Sequence, residues 1–325
     1  MRIDTTTTSA KLVGMRAIRL HSFSGPLTVE HVPDPVAGPG EVVVDLLYGT
    51  INPLDVWCCA GNFAAMTPLP HTPGAEGLGT MNGKRVIVNG AGIGIARPGT
   101  YAEKVAVPAS AITVVPDDLD ELQVASLGIA GVTAFRCLVT KGRATAADTV
   151  LVTGASGGVG SIVVQLARHR GIRVLAQTSS PAKADELFDL GADRVIVAAD
   201  GAALPAALAG ETPTLVVDGV AGSFVPTLVD VLAPEGRYVN YGTSGGTAVT
   251  FDMRTLYRKG IVLTGYTGLR ETSKDDAFEA LFDAVRSGHL HTIIDAVLSL
   301  EEAGDAHARI LDRKVVGKLL LNVRV

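Results

Sequence analysis

The chain has 325 residues, 47% hydrophobic and 19% charged, enough apolar material for about two packed domains and too much for a disordered protein. Its 28 basic and 33 acidic residues leave a formal net charge of −5, without the basic footprint of a nucleic-acid or anionic-membrane binder. Three cysteines, Cys58, Cys59 and Cys137, give neither a disulfide framework nor a C-x-x-C pair, so a reducing, cytoplasmic setting is the expectation.

Residues 1–14 carry four consecutive threonines and no apolar signal core, which predicts a disordered lead. Strand-like alternation begins at Met15. Short extended runs follow at 41–47, 85–89, 101–107 and 112–115, punctuated by Pro33-Asp34-Pro35 and Gly38-Pro39-Gly40. An antiparallel, partly barrel-like β region is expected as far as residue 124. The pattern then changes. Strands are predicted at 149–153, 173–177, 194–197, 214–218, 237–241 and 261–265, with helices at 158–169, 181–190, 201–209 and 222–232. Strands alternating with helices of this length imply a parallel sheet with right-handed crossovers. The uncharged stretch 149–167 imitates a membrane span but holds four glycines, and reads as strand, turn and helix. A helix at 273–287 and a strand within 314–323 close the chain and are expected to return to the first region. The fold class is therefore α/β: a β-rich domain from 15–124 and 270–325, and a doubly wound Rossmann domain from 125–269.

After the first parallel strand comes Gly154-Ala155-Ser156-Gly157-Gly158-Val159-Gly160. Small residues here let the backbone turn sharply, approach a pyrophosphate and seat the helix close to the strand. The helix N-terminus adds free N–H donors and a positive dipole end. An NAD-preferring site carries a carboxylate about 20 residues further on, at the ribose 2′-hydroxyl. This chain has Gln177 there, then Thr178, Ser179 and Ser180, with Lys183 beyond. Hydroxyls and a lysine accept a 2′-phosphate, so NADP(H) is the expected cofactor; the same residues also form a good N-cap for the helix that starts at Pro181.

The order Asn52-Pro53-Leu54-Asp55, Thr72-Pro73-Gly74-Ala75-Glu76-Gly77, Gly99-Thr100-Tyr101-Ala102-Glu103 and Gly131-Val132-Thr133-Ala134-Phe135 precedes the glycine turn. Leu190-Gly191-Ala192-Asp193 and Gly317-Lys318 follow it. In this order and spacing the chain resembles the medium-chain dehydrogenase/reductases, in their zinc-free, quinone oxidoreductase-like branch. The resemblance runs from Met15 to Val325. It implies a GroES-like catalytic domain built from both chain ends, with a cleft against the Rossmann domain.

Zinc alcohol dehydrogenases of that superfamily carry cysteine at the position of Asn52 and histidine at that of Ala75, and the four-cysteine lobe has no counterpart here. No metal is therefore expected. Without a Lewis acid, reduction of a quinone or of a conjugated C=C bond is favoured over alcohol oxidation. Asn52 is the first expectation for the donor that meets the negative charge on the substrate oxygen. Asp55, Trp57 and Tyr241 complete the expected catalytic set. Thr133 is expected at the nicotinamide amide, and Asn240, Gly242 and Thr243 along the cofactor. Two features set this chain apart: Trp57 and Phe63 stand where relatives carry tyrosines, and the stretch 77–84 is shorter than the usual hairpin. An enoyl-thioester or polyketide enoyl reductase is the alternative within this chemistry. A non-catalytic NADPH-binding redox sensor or structural protein is the alternative outside it. The partners expected are a small electron-poor substrate and a second copy, joined through the edge strand at 261–265.

Overall fold

Antiparallel pairing organises the first third of the chain, where β-branched residues alternate between short turns. The computed structural model describes residues 14–271 and 273–325; apart from Gly14, the lead expected at 1–14 lies outside the described residues. Met15–Leu20 pairs with Leu27–Val32 as a separate ribbon. A larger sheet runs in the order Ile294–Ser299, Lys318–Asn322, Glu41–Ile51, Glu76–Met81, Lys84–Asn89, Ile112–Val114, with Lys104–Pro108 beside the first half of Glu41–Ile51. Both chain ends thus enter one sheet. The turn between Glu76–Met81 and Lys84–Asn89 is Asn82-Gly83 at φ 51° and 76°, a two-residue hairpin that needs positive φ at both positions. That turn is what shortens the stretch 77–84.

The second sheet is wholly parallel, in the order Arg194–Val197, Arg173–Thr178, Thr149–Val152, Leu215–Asp218, Arg237–Asn240, Val262–Gly265. Chain order reverses on either side of Thr149–Val152, which opens a crevice at the strand ends, the usual ligand position in such sheets. The helix Gly158–His169 forms as expected and buries Ile162, Val163, Val164 and Leu166 against Val150, Val152 and Val174.

Several elements differ from expectation. The strand placed at 101–107 begins at Lys104, because the carbonyl of Tyr101 instead accepts from the N–H of Ile18. The helix Met253–Lys259 and the strand Ile294–Ser299 carry no strong sequence period, and the helix Ala303–Leu311 hides behind Ala and Gly. Residues Leu127–Gly131 and Arg136–Lys141 wind into wide π-type turns around the helical turn Val132–Phe135. Such turns recur where a helix serves a site. The helix Asp275–Arg286 packs Phe278 and Leu281 into the same core. Among the described residues, no helix is long and apolar enough to cross a membrane.

Gly160 controls how close helix and strand come. A Cβ there would stand 2.5 Å from the Gly154 carbonyl oxygen and 2.7 Å from Ala155 Cα, both rigid backbone. Overpacking of this kind costs about 1–3 kcal/mol. Gly160→Ala is therefore expected to lower the unfolding free energy by that amount, read as a lower denaturant midpoint at unchanged m-value; a variant as stable as the parent would show that the helix can move off the strand.

Candidate active site

The glycine turn is built by backbone needs. Gly154 sits at φ +59° and donates its N–H to Gln177 Oε1 at 2.9 Å. Ala155, fully buried, donates its N–H to the Gln177 carbonyl at 2.9 Å. Gly157 opens the helix in extended conformation, with no side chain capping the first turn. The helix N-terminus is thus left for an anion. The Ser156 carbonyl accepts the Gly317 N–H at 2.9 Å, and Val159 begins the helix partly exposed. At the next strand end, Gln177 is structural: its Nε2 donates to the Ala198 carbonyl at 2.6 Å. Thr178 Oγ1 accepts the Ser180 N–H at 3.3 Å, and Ser179 is exposed. Lys183 Nζ donates to the carbonyls of Arg313 and Val315 at 3.2 and 3.1 Å, so it is tethered, with one proton of three unengaged.

Asn240, expected along the cofactor, donates to the carbonyls of Asp218 and Gly242 at 3.2 and 2.7 Å, shaping the loop that carries Thr243. Tyr241 lies across Gly219, where a Cβ would sit 2.4 Å from its hydroxyl oxygen. Thr133 is half-buried in the turn Val132–Phe135. The crevice between these loops fits a dinucleotide phosphate: small residues, an uncapped helix end, hydroxyls and a lysine, and no carboxylate at the tip of Arg173–Thr178.

Asn52 caps the helix Pro53–Cys59 and is 3% exposed. Its Nδ2 donates to Glu76 Oε2 at 3.0 Å and to the Thr50 carbonyl at 3.2 Å. Its Oδ1 accepts from Lys318 Nζ at 2.6 Å. Asn52, expected to present a free donor, is instead a hub: both amide protons already have acceptors. Lys318 Nζ also donates to the Ile51 carbonyl at 2.9 Å and stands 4.0 Å from Glu76 Oε2. Glu76 Oε1 accepts the Ile129 N–H at 2.9 Å, tying the first π-type turn to the cluster. Burial pushes the Glu76 carboxyl up and the Lys318 ammonium down, and their opposite charges resist both shifts.

Asp55, expected among the catalytic residues, acts in the fold as a clamp. It is wholly buried and accepts the Asn52 and Ala75 N–H groups, each at 2.8 Å, so nothing of it faces a cleft. Trp57 and Tyr241 are half-buried, and no carbonyl or carboxylate of the described residues takes the indole N–H or the phenol. Cys58 and Cys59 are buried in the same helix, and burial pushes the Cys59 thiol up to about 12, which suits small apolar fillers. Sequence reasoning gave Glu76 and Lys318 no role. The available signal was a charge opening each of two otherwise apolar strands, Glu76–Met81 and Lys318–Asn322. Lys274 was also missed; its Nζ donates to the Asn89 carbonyl and Oδ1 at 3.1 and 3.0 Å, and nothing in its surface helix marked it.

From Asp55 a short chain runs outward. Tyr101 hydroxyl lies 3.2 Å from Asp55 Oδ2 and 3.2 Å from His307 Nε2. Burial raises the Asp55 carboxyl from 3.8 to about 6 and lowers His307 from 6.5 to about 4. Between these values folded Asp55 keeps a proton that the unfolded chain sheds, so its contribution falls as pH rises. Folded His307 lacks a proton that the unfolded chain holds, so its contribution grows with pH. The two slopes oppose. His307→Gln should remove the rising contribution and leave that of Asp55: the difference in unfolding free energy from the parent should decline between pH 4.5 and 6.5, by at most about 1.4 kcal/mol per pH unit. Urea denaturation across that range checks it, and parallel curves would refute the coupling.

A family model described as zinc-binding dehydrogenase matches residues 158–287, a span that excludes Asn52 and Ala75. The chain is 29% identical to quinone oxidoreductase-like protein 2 of Mus musculus, over 95% of this chain and 92% of that protein. It is 30% identical to the 2-haloacrylate reductase of a Burkholderia species, covering 69% and 70%. Among solved structures, the quinone oxidoreductase of Thermus thermophilus, described with its NADPH complex, superposes with a TM-score of 0.84 at 29% identity, covering 95% and 100%. Two sheets, a glycine turn at their junction and these likenesses agree, and the chain belongs to the medium-chain dehydrogenase/reductase superfamily, in its quinone oxidoreductase-like branch.

Proposed function

We propose that this protein is an NADPH-dependent, zinc-free reductase of quinones or of conjugated C=C bonds. The observation that carries the reading is where the crevice ends: the uncapped glycine turn meets the Asn52–Glu76–Lys318 cluster through the Gly157–Gly317 bridge. When bound, NADPH supplies hydride to the electron-poor carbon. Gly154, Ala155, Ser156, Gly157, Gly158, Val159 and Gly160 form its phosphate bed, with Thr178, Ser179, Ser180 and Lys183 at the 2′-phosphate. Thr133, Asn240, Gly242 and Thr243 line the path toward the reacting end.

Negative charge then grows on the substrate oxygen, and preorganised donors lower its cost. Trp57 and Tyr241 carry donors that no hydrogen-bond partner takes among the described residues. Asn52 holds the cluster in place behind them. The same cluster argues against a catalytic metal: an ammonium bonded to Asn52 Oδ1 repels a second cation, and Ala75 has no ligand atom. The name of the Burkholderia relative favours an acrylate-type substrate. The domain division at 124/125 and 269/270 belongs to this proposal. So does a homodimer through the outer edge strand Val262–Gly265, where Val262 and Leu263 are exposed.

Steady-state turnover with quinones, enones, enoates, enoyl thioesters and alcohols, each with NADPH and NADH, tests the reading. Reduction of the first four classes is expected, and prolonged chelation should leave the rate unchanged. No turnover on any of them would leave a non-catalytic NADPH-binding protein. A charge-assisted phosphate contact is worth about 1.5–3 kcal/mol, so NADPH should bind roughly 10–100-fold more tightly than NADH, and Lys183→Ala should narrow the gap. Equal affinities in the parent would refute the cofactor assignment.

A further inference from the structure

Gly158 stands in the glycine turn, yet its missing side chain serves something other than phosphate. A Cβ there would meet the Lys318 stem, 2.4 Å from Cδ and 3.1 Å from Cγ. The side chain that passes over Gly158 is 5% exposed and ends in the ammonium bonded to Asn52 Oδ1 and the Ile51 carbonyl. One residue earlier, Gly317 at φ +71° donates to the Ser156 carbonyl and bridges to Gly157. Lys318 is therefore held at the cofactor turn by the preceding Gly317 and by its own stem against Gly158, and at the Asn52 loop by its tip. The two anchors belong to different sheets, the parallel one and the β-rich one.

We propose that Lys318 is a positioning residue for hydride transfer, fixing the spacing between the glycine turn and the Asn52–Trp57 segment across the cleft. The inference rests on the reading that hydride crosses this cleft. Donor-only Lys318 on one side and acceptor-only Glu76 on the other leave the Asn52 amide a single orientation. Loss of the ammonium frees that amide and leaves Glu76 buried without its compensating charge. Misplacing reacting groups by about 1 Å can cost on the order of 100-fold in rate, so the effect belongs in the chemical step and not in cofactor affinity.

Lys318→Met, Lys318→Arg and Gly158→Ala test this, each read out by kcat, the NADPH dissociation constant, thermal midpoint and the isotope effect with NADPH deuterated at the transferred position. Lys318→Met is expected to lower kcat by at least about tenfold, to raise the isotope effect, and to change NADPH affinity by less than about threefold. Gly158→Ala, which pushes on the stem from the other side, should lower kcat and raise the isotope effect in milder form; because Gly158 also lines the phosphate bed, its NADPH affinity is expected to fall as well, and the affinity criterion rests on the two Lys318 variants. The charged groups facing the ammonium are Glu76, from Glu76–Met81, and Asp55, from Pro53–Cys59. Burial lowers the Lys318 ammonium, so the parent should lose rate on the alkaline side. Lys318→Arg, still charged there, should move that loss to higher pH and recover part of kcat. An unchanged kcat in Lys318→Met overturns the inference while parental turnover keeps the functional reading intact. A large loss of NADPH affinity at unchanged kcat assigns Lys318 to the phosphate and also overturns it. Losses of kcat, affinity and thermal midpoint together, with no change in isotope effect, reduce it to a structural residue. A parent that reduces no acceptor refutes both readings at once.

Discussion

A buried ammonium has to be matched by acceptors, and few are at hand inside a β-sheet. Lys318 finds them on the strand beside its own. The strand Lys318–Asn322 lies antiparallel to Glu41–Ile51, with Leu319 opposite Ile51, so Lys318 comes level with the point where that strand gives way to Asn52. The partners are 266 residues apart in sequence. The chain therefore runs through the whole parallel sheet before it reaches the strand that carries Lys318. Glu76 joins the pair through the next strand over, and the Ile129 N–H brings in the first π-type turn. Removing either charge would strand the other, which is why the arrangement acts as a unit.

That unit also decides which chemistry the fold can host. In a zinc-dependent relative the metal would polarise the substrate directly. Here the corresponding place holds an amide, an alanine and an ion pair that is closed on itself. Lys318 and Lys274 face Glu76 and Asp55, so the buried cluster is close to neutral when all four are charged. A neutral, rigid base orients dipoles without drawing in counter-ions. It gives little help to an alcohol that must lose a proton. On the proposed function, it suits acceptors whose negative charge grows on an oxygen held by donors outside the cluster.

The parallel sheet was legible because its signals are local: β-branched runs, glycine at the strand–helix turn, and helix Gly158–His169 to the residue. The β-rich half was less so. Its strand Glu76–Met81 reads Glu-Gly-Leu-Gly-Thr-Met, with glycines at 77 and 79 that ordinarily argue against a strand. Both are needed for close packing: a Cβ at Gly79 would meet the Asp45 carbonyl oxygen at 2.5 Å, and one at Gly77 the Tyr48 carbonyl oxygen at 2.8 Å. The site divided in the same way. Backbone-made parts showed in local pattern, whereas Asn52 was singled out as a free donor and the structure instead closes both of its amide protons on Glu76 and Thr50. A side chain's hydrogen bonds depend on residues brought together from 24 and 266 positions away, and no local pattern carries that information.

The segment from Arg313 to Lys318 draws the two ends of the crevice together. Arg313 donates to the Ser244 carbonyl at 3.1 Å. The carbonyls of Arg313 and Val315 hold Lys183, Gly317 is fixed to Ser156, and Lys318 reaches Asn52. This short segment thus touches the helix after Arg173–Thr178, the loop after Arg237–Asn240, the glycine turn and the catalytic loop. A ligand lying along the crevice meets it at its phosphate end and again at its reacting end. Were Lys183 to turn to a 2′-phosphate, as proposed, two of the segment's restraints would go at the first end, while those of Gly317 and Lys318 would stay at the second. On that proposal the fold can adapt at one end of the crevice and stay rigid at the other, because the two demands fall on opposite ends of one short stretch of chain.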